Sequence, residues 1–178
     1  SRADNLQCLL FQLTGAKHRY GFMQTYNDTW AKIGGSLIDD EDFGLQLRKK
    51  LHDEDLIIDK AKSLNSDKEK IAYIFNEVKN TMKWNGYNSW YTNDGTPKSW
   101  EKKAGNSTEI NLILYHLLKQ SGIKVYPMIV STRDHGKVNA AYPLLYQFNK
   151  TVAYVPVDST TRYILDATDK YQTYNEIP

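Results

Sequence analysis

Apolar residues at Ile71, Ile74, Phe75, Val78 and Met82 recur at three- and four-residue steps, which places them on one stripe of a helix. The run SDKE from Ser66 predicts its start: Ser66 caps, and Glu69 stands at the third helical position as in a capping box, a contribution of about 1 kcal/mol. Asn85 and Gly86 read as its left-handed stop. A second stripe, Ile110, Ile113, Leu114, Leu117 and Leu118, predicts a helix over about 107–120 that Gly122 ends. Upstream the pattern is weaker. Asp28 before Thr29 and Trp30 is a candidate cap, and Gly34 with Gly35 interrupts or ends that short helix. Phe43, Leu47 and Leu51 mark one face of a further helix, and Leu56, Ile57 and Ala61 suggest another.

After Gly122 the period changes. IKVYPMIVS, FNKTVAYVPV and TRYILDAT are strand-length runs of β-branched and aromatic residues separated by polar turns. Helices first and strands last predict an α+β domain, with N-terminal helices packed on a C-terminal antiparallel β-sheet and the helix at 107–120 against it. At the other end, LQCLLFQL (residues 6–13) reads as a strand within an extended segment over residues 1–24. The stretch from Trp84 to Trp100 has several turn signals and no helical period, which predicts an irregular loop.

Composition narrows the partners. Lys and Arg number 23 against 21 Asp and Glu, and a formal charge of +2 supplies no strong field toward nucleic acid or anionic lipid. The longest apolar run falls far short of the roughly 18 residues of a membrane helix, so no membrane insertion is expected. The chain opens without a charged and then apolar leader and reads as a fragment of a longer protein. The single cysteine, Cys8, excludes an internal disulfide and a multi-cysteine metal site, and its apolar surroundings suit a packed thiol.

The turn GNSTE opens a buried helix at the spacing of a G-x-C-x-[DE] motif. The pair Gly122 and Ile123 leads into a strand, QFNK begins a later strand, and YILDAT closes the set. In order and spacing over residues 66–169 this resembles the transglutaminase-like superfamily, relatives of papain-type cysteine proteases, and in particular those in bacterial envelope proteins where the domain follows an all-β domain. The resemblance implies a papain-like core over residues 25–178, with residues 1–24 ending a preceding β domain, and a periplasmic, envelope or secreted setting. It also implies a cysteine nucleophile, a histidine base and an orienting aspartate. Their places are held by Ser107, Lys150 and Asp166, so two of the three residues depart from the pattern.

A serine hydroxyl needs a positioned base, whereas a thiol at a helix N-terminus is already partly ionised. Lys150 could act only with its pKa pulled down toward neutrality. A hairpin centred on Asp158 would instead set Lys150 opposite Asp166, where a carboxylate favours the charged ammonium and a salt bridge. The other reading of Ser107 is a helix cap or first-turn hydroxyl, with Asn106 and Glu109 as further capping groups. His116 lies nine residues on, half a turn away on the opposite helix face. His135, in the turn-rich TRDHGK, is the alternative base. No histidine spacing suggests a metal, and no cofactor is expected.

Trp84, Tyr87, Trp90, Tyr91 and Trp100 cannot all belong to one core face. Their rings, with Asn85, Asn88 and Asn93 nearby, would suit stacking on a glycan or gripping a peptide. The alternative is that Trp84 and Trp100 anchor the loop and the tyrosines lie on the surface. The leading expectation is an inactive transglutaminase-like domain that binds or scaffolds within a larger protein and partners its flanking domains, a peptide, a protein or a glycan. The rivals are an active hydrolase or acyltransferase on amides using Ser107 with Lys150 or His135, and recognition by the aromatic loop.

Overall fold

The computed structural model describes residues 13, 15–21, 23–25, 29–171 and 173–174. The expected strand over 6–13, Cys8 and the Asp28 cap lie outside these, apart from Leu13. The first described elements are a short antiparallel hairpin, β1 (Gly15–Lys17) and β2 (Met23–Thr25). Helix α1 (Trp30–Asp39) follows, capped by the Thr29 side chain, which accepts from Lys32 N at 3.2 Å. It runs straight through Gly34 and Gly35, contrary to the expected break. Each glycine costs about 1 kcal/mol in a helix. Burial of Ile33 and Leu37 against Phe43 and Leu112 offsets that cost.

The helix expected from Phe43, Leu47 and Leu51 is a 3₁₀ turn, Gly44–Arg48. The burial pattern was informative and the period was not: Phe43 and Leu51 are buried, and Leu47 packs on the core. Gly44 lies so close to the Leu37 and Ile38 carbonyls that a Cβ would collide with backbone, and this tight passage bends the chain out of an α-helical path. Helix α2 (Glu54–Lys62) and helix α3 (Asp67–Thr81) then form, α3 burying its expected stripe, whereas α2 buries Ile58 and Ala61 and leaves Leu56 of the expected face exposed. Ser66 caps α3 by accepting from Glu69 N at 3.3 Å, while the Glu69 carboxylate turns to Asn65 N at 3.1 Å and not to the cap residue's own N–H.

α3 ends at Thr81, with Met82 extended, before the predicted stop at Asn85 and Gly86. The chain enters β3 (Lys83–Trp84), which pairs in parallel with β4 (Ala104–Gly105). Between them lies α4 (Thr96–Lys102), so the segment expected to be irregular is only partly so. Its seven residues and lone buried ring, Trp100, are too little for a periodic signal. Helix α5 (Ser107–Gln120) begins and ends where its pattern predicts, with Gly122 at φ +86° after it.

β5 (Tyr126–Val130), β6 (Lys150–Pro156) and β7 (Arg162–Leu165) make an antiparallel sheet in the order β5-β6-β7. Ala153, Val155 and Leu165 join Ile110, Ile113, Leu114 and Leu117 in the principal core. The architecture is therefore α+β, helices on one face of a C-terminal antiparallel sheet. Ala153 pairs with Leu165 and Pro156 with Arg162, which centres the hairpin one residue later than Asp158. Continued outward, this register sets Lys150 beside Thr168 and not opposite Asp166. The longer turn arises because Asp158 Oδ1 gathers the N–H groups of Thr160 and Thr161, at 2.7 Å each, into a compact loop.

Candidate functional site

Helix α5 begins with a complete capping box. Asn106 Oδ1 accepts from Glu109 N at 2.8 Å, and Glu109 Oε2 accepts from Asn106 N at 2.7 Å. Glu109 Oε1 takes two further donors, Asn93 N at 2.9 Å and Asp94 N at 2.7 Å. This one buried carboxylate therefore joins the helix start to the loop before it.

Ser107 is the first helical residue and is fully buried. Its N–H donates to Tyr87 O at 3.1 Å, and its Oγ accepts from Ser89 N at 3.3 Å. Thr108 Oγ1 donates to Ser89 O at 2.5 Å. Asn106 Nδ2 adds a bond to Tyr91 O at 2.9 Å. The polar groups at the helix start thus hold residues 87–91 down over it, and the Ser107 hydroxyl is one of the pins.

Lys150 and Asp166 meet as the sequence predicts, in an ion pair. Both are largely buried, the lysine side chain 12% exposed and the aspartate 4%. Asp166 Oδ1 accepts from Asn111 Nδ2 at 3.0 Å, Thr168 N at 3.1 Å and Thr168 Oγ1 at 2.7 Å. Lys150 Nζ also donates to Thr168 Oγ1 at 3.0 Å and lies 5.9 Å from the Trp84 ring centre. No hydrogen bond among the described residues joins this pair to Ser107, although Asn111, one turn past Ser107 on α5, bonds Asp166. Thr151 turns toward α5, where its hydroxyl lies 2.9 Å from Thr108 Oγ1, so the neighbouring Lys150 and Val152 turn to the other face and line an open cleft there.

The cleft has a volume of about 1330 Å³ and takes in Trp84, Lys150 and Asp166. Ser107 is not among its walls. His135 is exposed and lies with Nε2 2.9 Å from Tyr146 O, and His116 is buried with Nε2 2.7 Å from Glu54 Oε2, so neither histidine is bonded to Ser107. Among the described residues, no group of three His, Cys, Asp or Glu side chains could hold a metal ion. No helix among them is long and apolar enough to cross a membrane.

The five aromatics do not form one platform. Trp100, expected as a ligand contact, is instead a core residue, 4% exposed, with Nε1 bonded to His52 O at 2.8 Å. Trp90 packs on the Ile33 cluster, and Tyr91 meets it edge-on at 5.2 Å. Trp84 and Tyr87 keep exposed rings, joined by Trp84 Nε1 to Tyr87 O at 3.0 Å. A hydrogen bond with the Tyr91 hydroxyl pushes the Tyr87 phenol above its ordinary value.

Sequence reasoning missed Asn111 and Thr151. Asn111 Nδ2 bonds Thr151 O at 2.8 Å as well as Asp166, and its Oδ1 accepts from Ala167 N at 2.9 Å. The available signal was a polar residue one turn past Ser107 on an otherwise apolar helix, since a buried amide must be satisfied.

No family model and no curated protein matches the chain. Among solved structures, the chain is similar to a protein from Parabacteroides distasonis described as a candidate protease, with a TM-score of 0.55 and 14% identity. The match covers 97% of this chain and 37% of that one. The chain thus shares the fold of part of a larger protein, and its own length spans little over a third of that structure.

Proposed function

We propose that the chain is a catalytically inert transglutaminase-like domain that serves as a binding or scaffolding module of a larger envelope or secreted protein. One observation carries this reading: the two groups at the nucleophile and base positions have separate occupations. Ser107 is sealed beneath Ser89, and the Lys150 ammonium is engaged by Asp166 and Thr168. A serine whose hydroxyl is bonded to no base lacks the proton acceptor that attack requires. The fold likeness to a candidate protease supports the frame without supplying chemistry. The envelope or secreted setting rests on the resemblance in GNSTE, QFNK and YILDAT.

The test is an activated-acyl probe followed by peptide mapping from neutral to alkaline pH, beside turnover assays on peptide and glutamine amides. No adduct at Ser107 and no turnover are expected. An adduct at Ser107, or turnover abolished by Ser107→Ala, would overturn the reading in favour of a serine hydrolase or acyltransferase.

A further inference from the structure

We infer that the cleft beside Lys150 is a binding site for an amphipathic carboxylate, a ligand with an aliphatic body and one anionic head. The inference rests on the non-catalytic reading, because it makes Lys150 a binding group. Strand alternation puts Met128, Val130, Val152 and Ile164 on the face of the sheet away from α5, and all four line the cleft. A continuous apolar floor of this kind stabilises a ligand body by burying its surface.

The polar walls decide the sign of the head. Arg133 and Lys170 line the cleft and have no ion pair among the described residues. Lys150 commits two of its three N–H donors, to Asp166 and Thr168, and retains a third. The hydroxyls are already occupied: Ser131 donates to Gly136 O at 2.7 Å, Thr132 Oγ1 accepts from Asn149 at 2.8 Å, and Thr168 serves Asp166. Asp166 is neutralised by Lys150, whereas Asp169 holds Tyr171 N at 2.8 Å through one oxygen and keeps its negative charge in the wall. The sign follows from the excess of cations, Arg133, Lys150 and Lys170 against Asp166 and Asp169, and a planar guanidinium suits a carboxylate in particular.

Octanoate and octylammonium, equal in chain length and opposite in charge, are the probes, titrated into the whole chain and followed by methyl NMR and calorimetry. Octanoate should bind with a Kd on the order of 0.1–1 mM and shift the methyls of Val130, Val152 and Ile164. Octylammonium should bind at least about tenfold more weakly. Arg133→Gln with Lys170→Gln, both on exposed loops, should weaken octanoate by about tenfold or more without altering the melting temperature. Ser107→Ala should leave octanoate binding unchanged. Equal binding of the two probes, shifts outside the cleft methyls, or undiminished octanoate binding in the double variant would each overturn the inference. Absence of octanoate binding with Ser107 unlabelled sinks this inference alone. Labelling of Ser107 with octanoate binding intact sinks the inert reading alone.

Discussion

Lys150 and Asp166 form an ion pair although their strands set Lys150 nearer to Thr168. The long lysine side chain reaches diagonally across the hairpin, and Thr168 bonds both charges. The contact is thus a three-residue cluster with Asn111 behind it, and its removal has a cost that differs by partner.

Lys150→Met leaves the Asp166 carboxylate buried without its cation and should destabilise the chain by about 3 kcal/mol, the low end for breaking a buried pair. Asp166→Asn added to that variant should recover part of the loss, because no uncompensated charge remains. Urea unfolding of the single and double variants measures both numbers. A double variant no more stable than Lys150→Met would contradict the pairing.

Glu109→Ala strips acceptors from three backbone N–H groups, those of Asn93, Asp94 and Asn106. A loss of about 3 kcal/mol or more is expected, at roughly 1 kcal/mol or more per orphaned donor. Glu109→Gln keeps one oxygen and should fall between. Hydrogen exchange at those amides distinguishes this from a general loss of stability, since they should lose protection before the core of α5.

Gly105→Ala places a Cβ 2.7 Å from Glu109 Oε2 and 2.9 Å from Glu109 Cβ. The crowding should cost about 1–3 kcal/mol. Glu109→Ala removes the Oε2 contact and leaves the Cβ contact, so the double variant should lose only somewhat less than the two single losses combined. Thermal melts of the four proteins test the coupling.

Reverting the site with Ser107→Cys and Lys150→His should give no amide turnover, because the introduced thiol would lie beneath Ser89 as the hydroxyl does now. Iodoacetamide labelling with peptide mapping separates that thiol from Cys8, and slow modification is expected. Rapid labelling with turnover would show that the loop over residues 87–91 opens readily.

Asp94 carries a pH dependence. Hydrogen bonds from Lys102 and then Lys98 lower its carboxyl from 3.8 to about 2. A lowered folded value means the pair stabilises above about pH 4 and loses that contribution as pH falls toward 2. Asp94→Asn should therefore lower the melting temperature slightly at neutral pH, less so in high salt, and the difference should shrink as pH falls from about 4 through 2. A difference that does not shrink over that range would assign it to packing.

The helix stripe on α3 and the three late strands are legible in the sequence because period reports burial, whereas α5 is legible by its cap and stop, being buried on every side from Ser107 to Leu118. Phe43, Leu47 and Leu51 show where that rule fails: their burial was readable, yet the carbonyls of α1 force Gly44 into a 3₁₀ turn. The segment from Trp84 to Trp100 was harder still. Its order comes from Glu109, Asn106 and Ser107 holding backbone groups that are remote in the chain, and no local pattern encodes a partner fifteen residues away.

By itself the sequence determined the α+β order of elements and the capping groups Asn106 and Glu109, and it brought Lys150 to Asp166 only through a hairpin register the structure does not have. Periodicity, cap chemistry and opposite charge act over short range or through strand alternation. Only the tertiary structure decided that Ser107 is sealed by Ser89, that Thr151 and not Lys150 faces α5, and that an apolar cleft with an excess of cations opens on the lysine's side. Those outcomes depend on hairpin register and on which loop covers a helix end, and a shift of one residue in either would reverse them.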